Sequence, residues 1–236
     1  MKVFSGIVIC LLALVVAAGC ASTKVSDREM LVTEKIPRPD HIWVHDFAAT
    51  SAEVPGDSAI AGQNLEHGTP QTPEHIAMGR KLGAQIAVEL VREIREMGMP
   101  VQLASGAPSP KINDIVIRGY LLSFDEGDAK KRVAVGFGSG ASHLTVAAEG
   151  FQVTAHGLRK LGGGKVDSGG GKAPGGAVGV AAVIATGNPV GLIVGGGAKA
   201  YGEYSGSAKV EGRAKAVAKE IADALRKRFQ EQGWIQ

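Results

Sequence analysis

Cysteine is almost missing: Cys10 and Cys20 are the only two in 236 residues, and both stand close to the start. That excludes a disulfide framework and a cysteine-built metal site. Aromatic residues are few, 5% of the chain. An excess of one charge is missing too. Lys and Arg total 26 against 23 Asp and Glu, a formal +3, which is too even for the basic stripe a nucleic-acid partner requires. What the chain has in abundance is glycine, with 34 residues concentrated in its second half.

The first residues combine a cation at Lys2 with an apolar run from Val3 to Ala18, broken only by Ser5 and Gly6. That pattern is a secretory signal, too short for the roughly 20 apolar residues of a spanning helix. Its end, LVVAAGC, resembles the lipobox read by bacterial lipoprotein processing enzymes. The resemblance implies cleavage after residue 19, a lipid on Cys20, and a domain facing the periplasm from the outer membrane, because residue 21 is alanine and not aspartate. Two or three acyl chains hold firmly where one gives only marginal binding. Cys10 leaves with the signal and Cys20 carries lipid, so no thiol remains for catalysis.

The expected organisation is a signal at 1–19, a lipidated tether at 20–40, a core at 41–160, a glycine-rich insert at 161–204 and a closing helix at 205–236. Residues from Ala21 to Pro39 are polar, which reads as a flexible spacer. HIWVHDFAA alternates like a strand, and residues 50–71 read as a long loop. Thr72-Pro73-Glu74 is a helix start, and Ile76, Gly79, Gly83, Ile86, Leu90, Ile94 and Met97 recur on one face until Gly98 and Pro100 end it. Residues 101–103, 112–124, 132–137 and 144–155 read as strands, with DEGDAK turning the second of these back against the third. Val210, Ala214, Val217, Ile221, Leu225 and Phe229 stripe a final helix opposite a charged face. The fold class that follows is α+β, a largely antiparallel sheet packed by helices in a two-layer sandwich.

From Ala173 to Ala198 no charged residue occurs, and Gly175, Gly179, Gly187, Gly191 and Gly195 fall at multiples of four. Such spacing lets backbones approach closely, as helices do in lipid. Because Gly187-Asn188-Pro189 breaks a single helix, the expected shape is an apolar hairpin that self-associates, docks on its own domain or enters a membrane. The flanking GGGKVDSGGGK reads as a hinge.

Phosphate-loop and dinucleotide readings fail. GGGK at 162–165 and at 169–172 lacks the earlier glycine and the following Ser or Thr. Gly136, Gly138 and Gly140 follow a strand in a tight turn that can aim amides at an anion, but no helix pattern follows them. His41 and His45 on one strand face would stand about 13 Å apart, too far to share a metal. Asp125, Glu126 and Asp128 crowd a turn without calcium-loop spacing. Lys215, Lys219, Arg226 and Lys227 form an ordinary solvated face. No catalytic set, metal site or cofactor is expected.

IWVHDFAATSAEVPGDS, RVAVGFGSGASHLTVAAEGFQV, the small-residue insert and the charged helix ending in GWI together resemble domain of unknown function 4410, a family of bacterial lipoproteins. The resemblance implies no activity. The order of elements is similar, more weakly, to the periplasmic domain of curli-secretion lipoproteins, which implies oligomers. The expectation is therefore a non-enzymatic envelope protein that binds the membrane through its lipid and meets another envelope protein or its own copies, with no nucleic acid. The alternatives are a pore-type assembly subunit inserting its glycine hairpin, and a small-ligand carrier or enzyme.

Overall fold

The computed structural model of the chain describes residues 22–59, 61, 72–125, 142–169 and 210–236. It is an α+β sandwich with one six-stranded sheet. The strands are β1 (Ser22–Met30), β2 (Ile42–Val44), β3 (Val101–Leu103), β4 (Ile115–Asp125), β5 (His143–Thr154) and β6 (Gly157–Gly169), and the helices are α1 (Pro73–Glu96) and α2 (Val210–Gln232). Strand order across the sheet is β1-β6-β5-β4-β2-β3. The four strands from β1 to β4 along that order pair antiparallel, whereas β2 runs parallel to both β4 and β3.

Helix α1 begins where the sequence predicts. The Thr72 hydroxyl accepts from the His75 amide at 3.2 Å, and Pro73 supplies a φ already suited to a first turn. The stripe Leu82, Ile86, Leu90 and Ile94 is wholly buried. Both helices lie on one face of the sheet and contribute to a single core with Ile42, Val44, Ile115, Ile117, Leu144 and Val146. Helix α1 approaches the β2 end through Gly83, where an added Cβ would stand 2.0 Å from the Phe47 carbonyl oxygen. The ring of Phe47 in turn lies over Gly119 of β4, where a Cβ would come within 2.1 Å of it. Two glycines thus make room for one aromatic residue between helix and sheet.

Three expectations are corrected. Residues 22–30 of the expected tether form β1, whose register with β6 runs from Ser22 opposite Gly169 to Met30 opposite Gly162. Hydropathy misses this strand because its side chains meet β6 through ion pairs, Lys165 with Asp27 and Lys160 with Glu29, more than through apolar contact. Residues 32–36 are strapped down as well. The Gln232 side chain accepts from the Ile36 amide at 2.8 Å and donates to the Glu34 carbonyl at 3.0 Å, while Trp234 Nε1 donates to the Ile36 carbonyl at 3.3 Å.

The expected hinge around Gly162–Gly169 is the second half of β6, paired on both edges, so the ordered sheet runs past residue 161. Glycine has no side chain to bury, but its amide and carbonyl fill ladder positions like any other residue's. Strand β4 pairs antiparallel with β5, residues 143–154, and the expected partner at 132–137 lies outside the described residues. The first core strand is shorter than expected, since β2 ends at Val44, His45 makes one more backbone bond to Ile117, and the chain meets β4 again at the bridge from Ala48 to Tyr120. The glycine hairpin of the insert also lies outside the described residues.

The Phe47 arrangement makes a direct prediction. Gly83→Ala and Gly119→Ala should each destabilise the domain by about 1–3 kcal/mol through overpacking, measured by urea denaturation. Gly56→Ala, whose added Cβ meets no atom within 4 Å, should stay near wild type.

Candidate functional site

The face of the sheet away from the helices is polar towards β1 and β6, and a closed ionic cluster sits there. Strand alternation turns Glu149 of β5, Lys160 of β6 and Glu29 of β1 onto this face, and residues 57–59 fold over them. The Lys160 ammonium stands 3.0 Å from Glu149 Oε1 and 3.1 Å from Glu29 Oε2. Ser58 Oγ donates to Glu149 Oε2 at 2.7 Å, and the Ala59 amide donates to Glu149 Oε1 at 3.1 Å. Glu149 is 4% exposed. Arg118 extends the cluster, pairing with Asp57 at 2.8 Å and lying over the Phe151 ring at 5.2 Å from its centre.

Ionisation in the cluster is fixed by these contacts. Burial opposes the charge on Glu149, but the hydrogen bonds from Ser58, Lys160 and the Ala59 amide outweigh it and hold the carboxyl below its ordinary range. Burial likewise opposes the Lys160 charge, and its bonds to Glu149 and Glu29 override that, raising its pKa. The Tyr120 hydroxyl, buried beside Ser58 and Glu149 without a well-formed hydrogen bond, is pushed up to about 12, chiefly by burial and further by the Glu149 charge. A carboxylate held this firmly ionised is a poor base, an ammonium between two carboxylates is a poor acid, and Ser58 gives its proton to an acceptor that does not take it. These contacts tie residues 57–59 to the sheet.

A second polar group, His143, Thr145 and Asp167, has the residue types of a hydrolytic triad. Its geometry differs. Thr145 Oγ1 lies 2.9 Å from His143 Nε2 and donates to Asp167 at 3.2 Å, while Asp167 also faces Nε2, at 3.6 Å. Hydroxyl and acid meet the same ring nitrogen, so the carboxylate cannot fix the imidazole from its far side as a triad requires. Among the described residues no group of three or more His, Cys, Asp and Glu is placed to hold a metal. His41 packs over Trp43 at 5.6 Å between ring centres, next to the buried Asp114 that accepts from Trp43 Nε1 at 2.8 Å.

A slot opens on the helix-covered face. It is a cavity of about 190 Å³ between β5, β6, the β1 bulge and the second half of α2, lined mostly by apolar side chains. Hydrophobic periodicity gives no sign of it, because the opening arises where side chains are missing.

Of the residues singled out in the sequence, Cys20, the turn glycines Gly136, Gly138 and Gly140, and the insert glycines Gly175, Gly179, Gly187, Gly191 and Gly195 lie outside the described residues. The points at which the chain leaves and rejoins the described domain are nevertheless defined. Asp125 at the end of β4 pairs with His143 at the start of β5, His143 pairs with Gly169 at the end of β6, and Gly169 pairs with Ser22 at the start of β1. These four residues form one row across the sheet. Val210 starts α2 nearby, since Arg213 Nε donates to the Ser142 hydroxyl at 3.2 Å. Segments 1–21, 126–141 and 170–209 therefore all join the domain at one end.

A family model described as a domain of unknown function, DUF4410, matches residues 42–187, from β2 through the whole of β6 and beyond. The chain belongs to the DUF4410 family. Among solved structures, the DUF4410 chain is similar to the PelC L103M dodecamer from Paraburkholderia phytofirmans at 14% identity, covering 64% of this chain and 80% of that one, with a TM-score of 0.33. It is also similar to the hypothetical protein CT253 from Chlamydia trachomatis at 10% identity, covering 80% and 96%, with a TM-score of 0.38. No curated protein matches it.

The ionic cluster predicts a pH dependence. The folded-state pKa of Glu149 is depressed, so its contribution is present above the ordinary carboxyl range and is lost as pH falls through the folded value. Glu149→Gln should cost of order 3 kcal/mol at pH 7. Denaturation curves should show its deficit against wild type shrinking below about pH 4.

Proposed function

We propose that this DUF4410 protein is a lipid-anchored component of the bacterial cell envelope. Cys20 holds it at the outer membrane, its domain lies in the periplasm, and it acts through contacts with other copies or another envelope protein and not through catalysis. The observation that carries the reading is the pairing of Ser22 with Gly169. Ser22 stands two residues after Cys20, and Gly169 stands a few residues before the uncharged stretch from Ala173 to Ala198. The lipid-bearing end and the glycine-spaced apolar segment thus share one edge of the domain. The residue that an anchor would hold against the bilayer is the neighbour of the residue from which the apolar segment departs.

Support for a non-catalytic role comes from the polar groups. The buried acid and lysine neutralise one another, and the His143 group has its acid on the wrong nitrogen. The same juxtaposition favours one alternative, an assembly subunit whose insert enters the membrane or forms a collar with its copies. No described helix is long and apolar enough to cross a membrane, so that role would fall to the insert.

Two experiments test the reading. Cells fed labelled palmitate should label the wild-type chain and fail to label Cys20→Ser; equal labelling of the two refutes the anchor. Full-length protein extracted in mild detergent and sized by light scattering should form a defined oligomer that becomes monomeric when residues 173–198 are removed. Folded monomers in both cases would reject self-assembly through the insert and leave a separate envelope partner.

A further inference from the structure

We infer that the slot beneath α2 is a binding site for one hydrocarbon chain of an anionic amphiphile, a fatty acid or the tail of a phospholipid. The sheet floor of the slot lacks side chains where a sandwich normally has its largest. Ala148 and Gly150 of β5 face α2 opposite Gly164 and Gly162 of β6, so four neighbouring positions carry a single methyl group among them. The glycines are not equivalent. At Gly162 an added Cβ would stand 2.3 Å from the Glu29 carbonyl oxygen, and at Gly164 it would stand 3.5 Å from that of Ser26. These two accommodate the β1 bulge, where Asp27 takes a positive φ of 49°.

At Gly150 an added Cβ meets nothing within 4 Å. A glycine inside a strand weakens it, and an unfilled core forfeits contacts. Here both costs fall at one residue, which leaves room between β5 and α2.

The walls define the ligand. Ile117, Leu161, Val166, Ile221, Leu225 and Phe229 surround the space, and an apolar void of roughly 150 Å³ is known to stay dry and accept hydrocarbon. The charges at the rim define its head group. Of the acids along the slot, Glu29 and Glu149 are paired with Lys160, and Glu231 with Arg228. Arg28 and Lys227 also line it and have no ion-pair partner among the described residues. Two unmatched cations at the mouth of an apolar slot suit a carboxylate or phosphate joined to an alkyl chain.

The slot extends along β6 from Gly162 to Val166, and Val166 with its β1 partner Val25 stands about 10 Å along an extended strand from the Gly169 and Ser22 row. The chain's own lipid is therefore a rival occupant, which the experiment separates from a free amphiphile.

The test uses the full-length chain in cells supplied with a diazirine-bearing fatty acid, irradiated, purified and mapped by peptide mass spectrometry. Crosslinks are expected on the β5, β6 and α2 peptides that line the slot. They should be lost in Gly150→Leu, which fills the floor, and in Ala224→Leu, which fills the space from the α2 side. Both variants should keep a cooperative thermal transition, and either one that stays folded decides the matter. Crosslinks that persist in Cys20→Ser support an independent amphiphile, and crosslinks lost in Cys20→Ser overturn it in favour of the chain's own lipid. An unlabelled slot in wild type, or one labelled only after removal of residues 173–198, also overturns it, in the second case by assigning the slot to the chain's own apolar segment.

Discussion

Through its glycine run, strand β6 is held by its main chain. The run Leu161-Gly162-Gly163-Gly164 offers one apolar side chain in four residues, so little hydrophobic burial fixes it. What fixes it is ladder pairing on both edges, to β5 over its whole length and to β1 over the half that ends at Gly169. A backbone amide or carbonyl left buried and unpaired is costly, and that penalty, more than any packing, keeps a glycine-rich segment straight. Lys160 of the ionic cluster, the glycines beside the slot and Gly169, the last described residue on the way to the uncharged stretch, all belong to this one strand. If β6 lost either neighbour, all three features would lose their geometry together.

The two faces of the sheet solve opposite problems. On the helix side the core is aliphatic, and its departures from close packing are local: Phe47 squeezed between two glycines at the β2 end, and the slot at the β6 end. On the other side two segments, 48–54 and 104–107, cover apolar islands around Tyr120 and around Trp43 and Phe151, while charged cross-strand pairs lie towards β1 and β6. Glu149 illustrates the balance. Its carboxylate has three donors, from Ser58, Ala59 and Lys160, which is what a nearly inaccessible charge needs in order to persist.

How far the sequence could be read depended on where stabilisation is apolar. Helix α1 was legible from the Thr72 cap to Met97 because its buried stripe follows a 3.6-residue period, and α2 for the same reason. The central strands were visible as Ile-, Val- and Leu-rich runs, and the α+β class followed from their order. Strand β1 was not, since Thr23, Val25, Asp27 and Glu29 alternate with Lys24, Ser26 and Arg28 without any difference in polarity to show a buried face. Strand β6 was hidden by its glycines, and the parallel pairing of β2 by its three-residue length. The two polar groups and the slot were out of reach for a different reason. Glu29, Glu149 and Lys160 are distant in sequence and become neighbours only through strand order, and a cavity formed by absent side chains has no signature in any pattern of present ones.

The strap between residues 32–36 and the end of α2 joins positions 196 apart in the chain, and the Thr23–Ser168 hydrogen bond on the β1 edge spans 145. Loop closure of that length carries an entropic cost that must be met before any contact repays it, and such topologies fold slowly. The order of events along the chain follows from this. A polypeptide emerging amino end first exposes β1 long before β6 exists to receive it, and residues 32–36 have no partner until Gln232 and Trp234 have emerged. The amino-terminal segment is thus the first part made and among the last to dock. Until then its backbone groups have no strand to pair with, so closure of the sheet edge waits on the last residues of the chain.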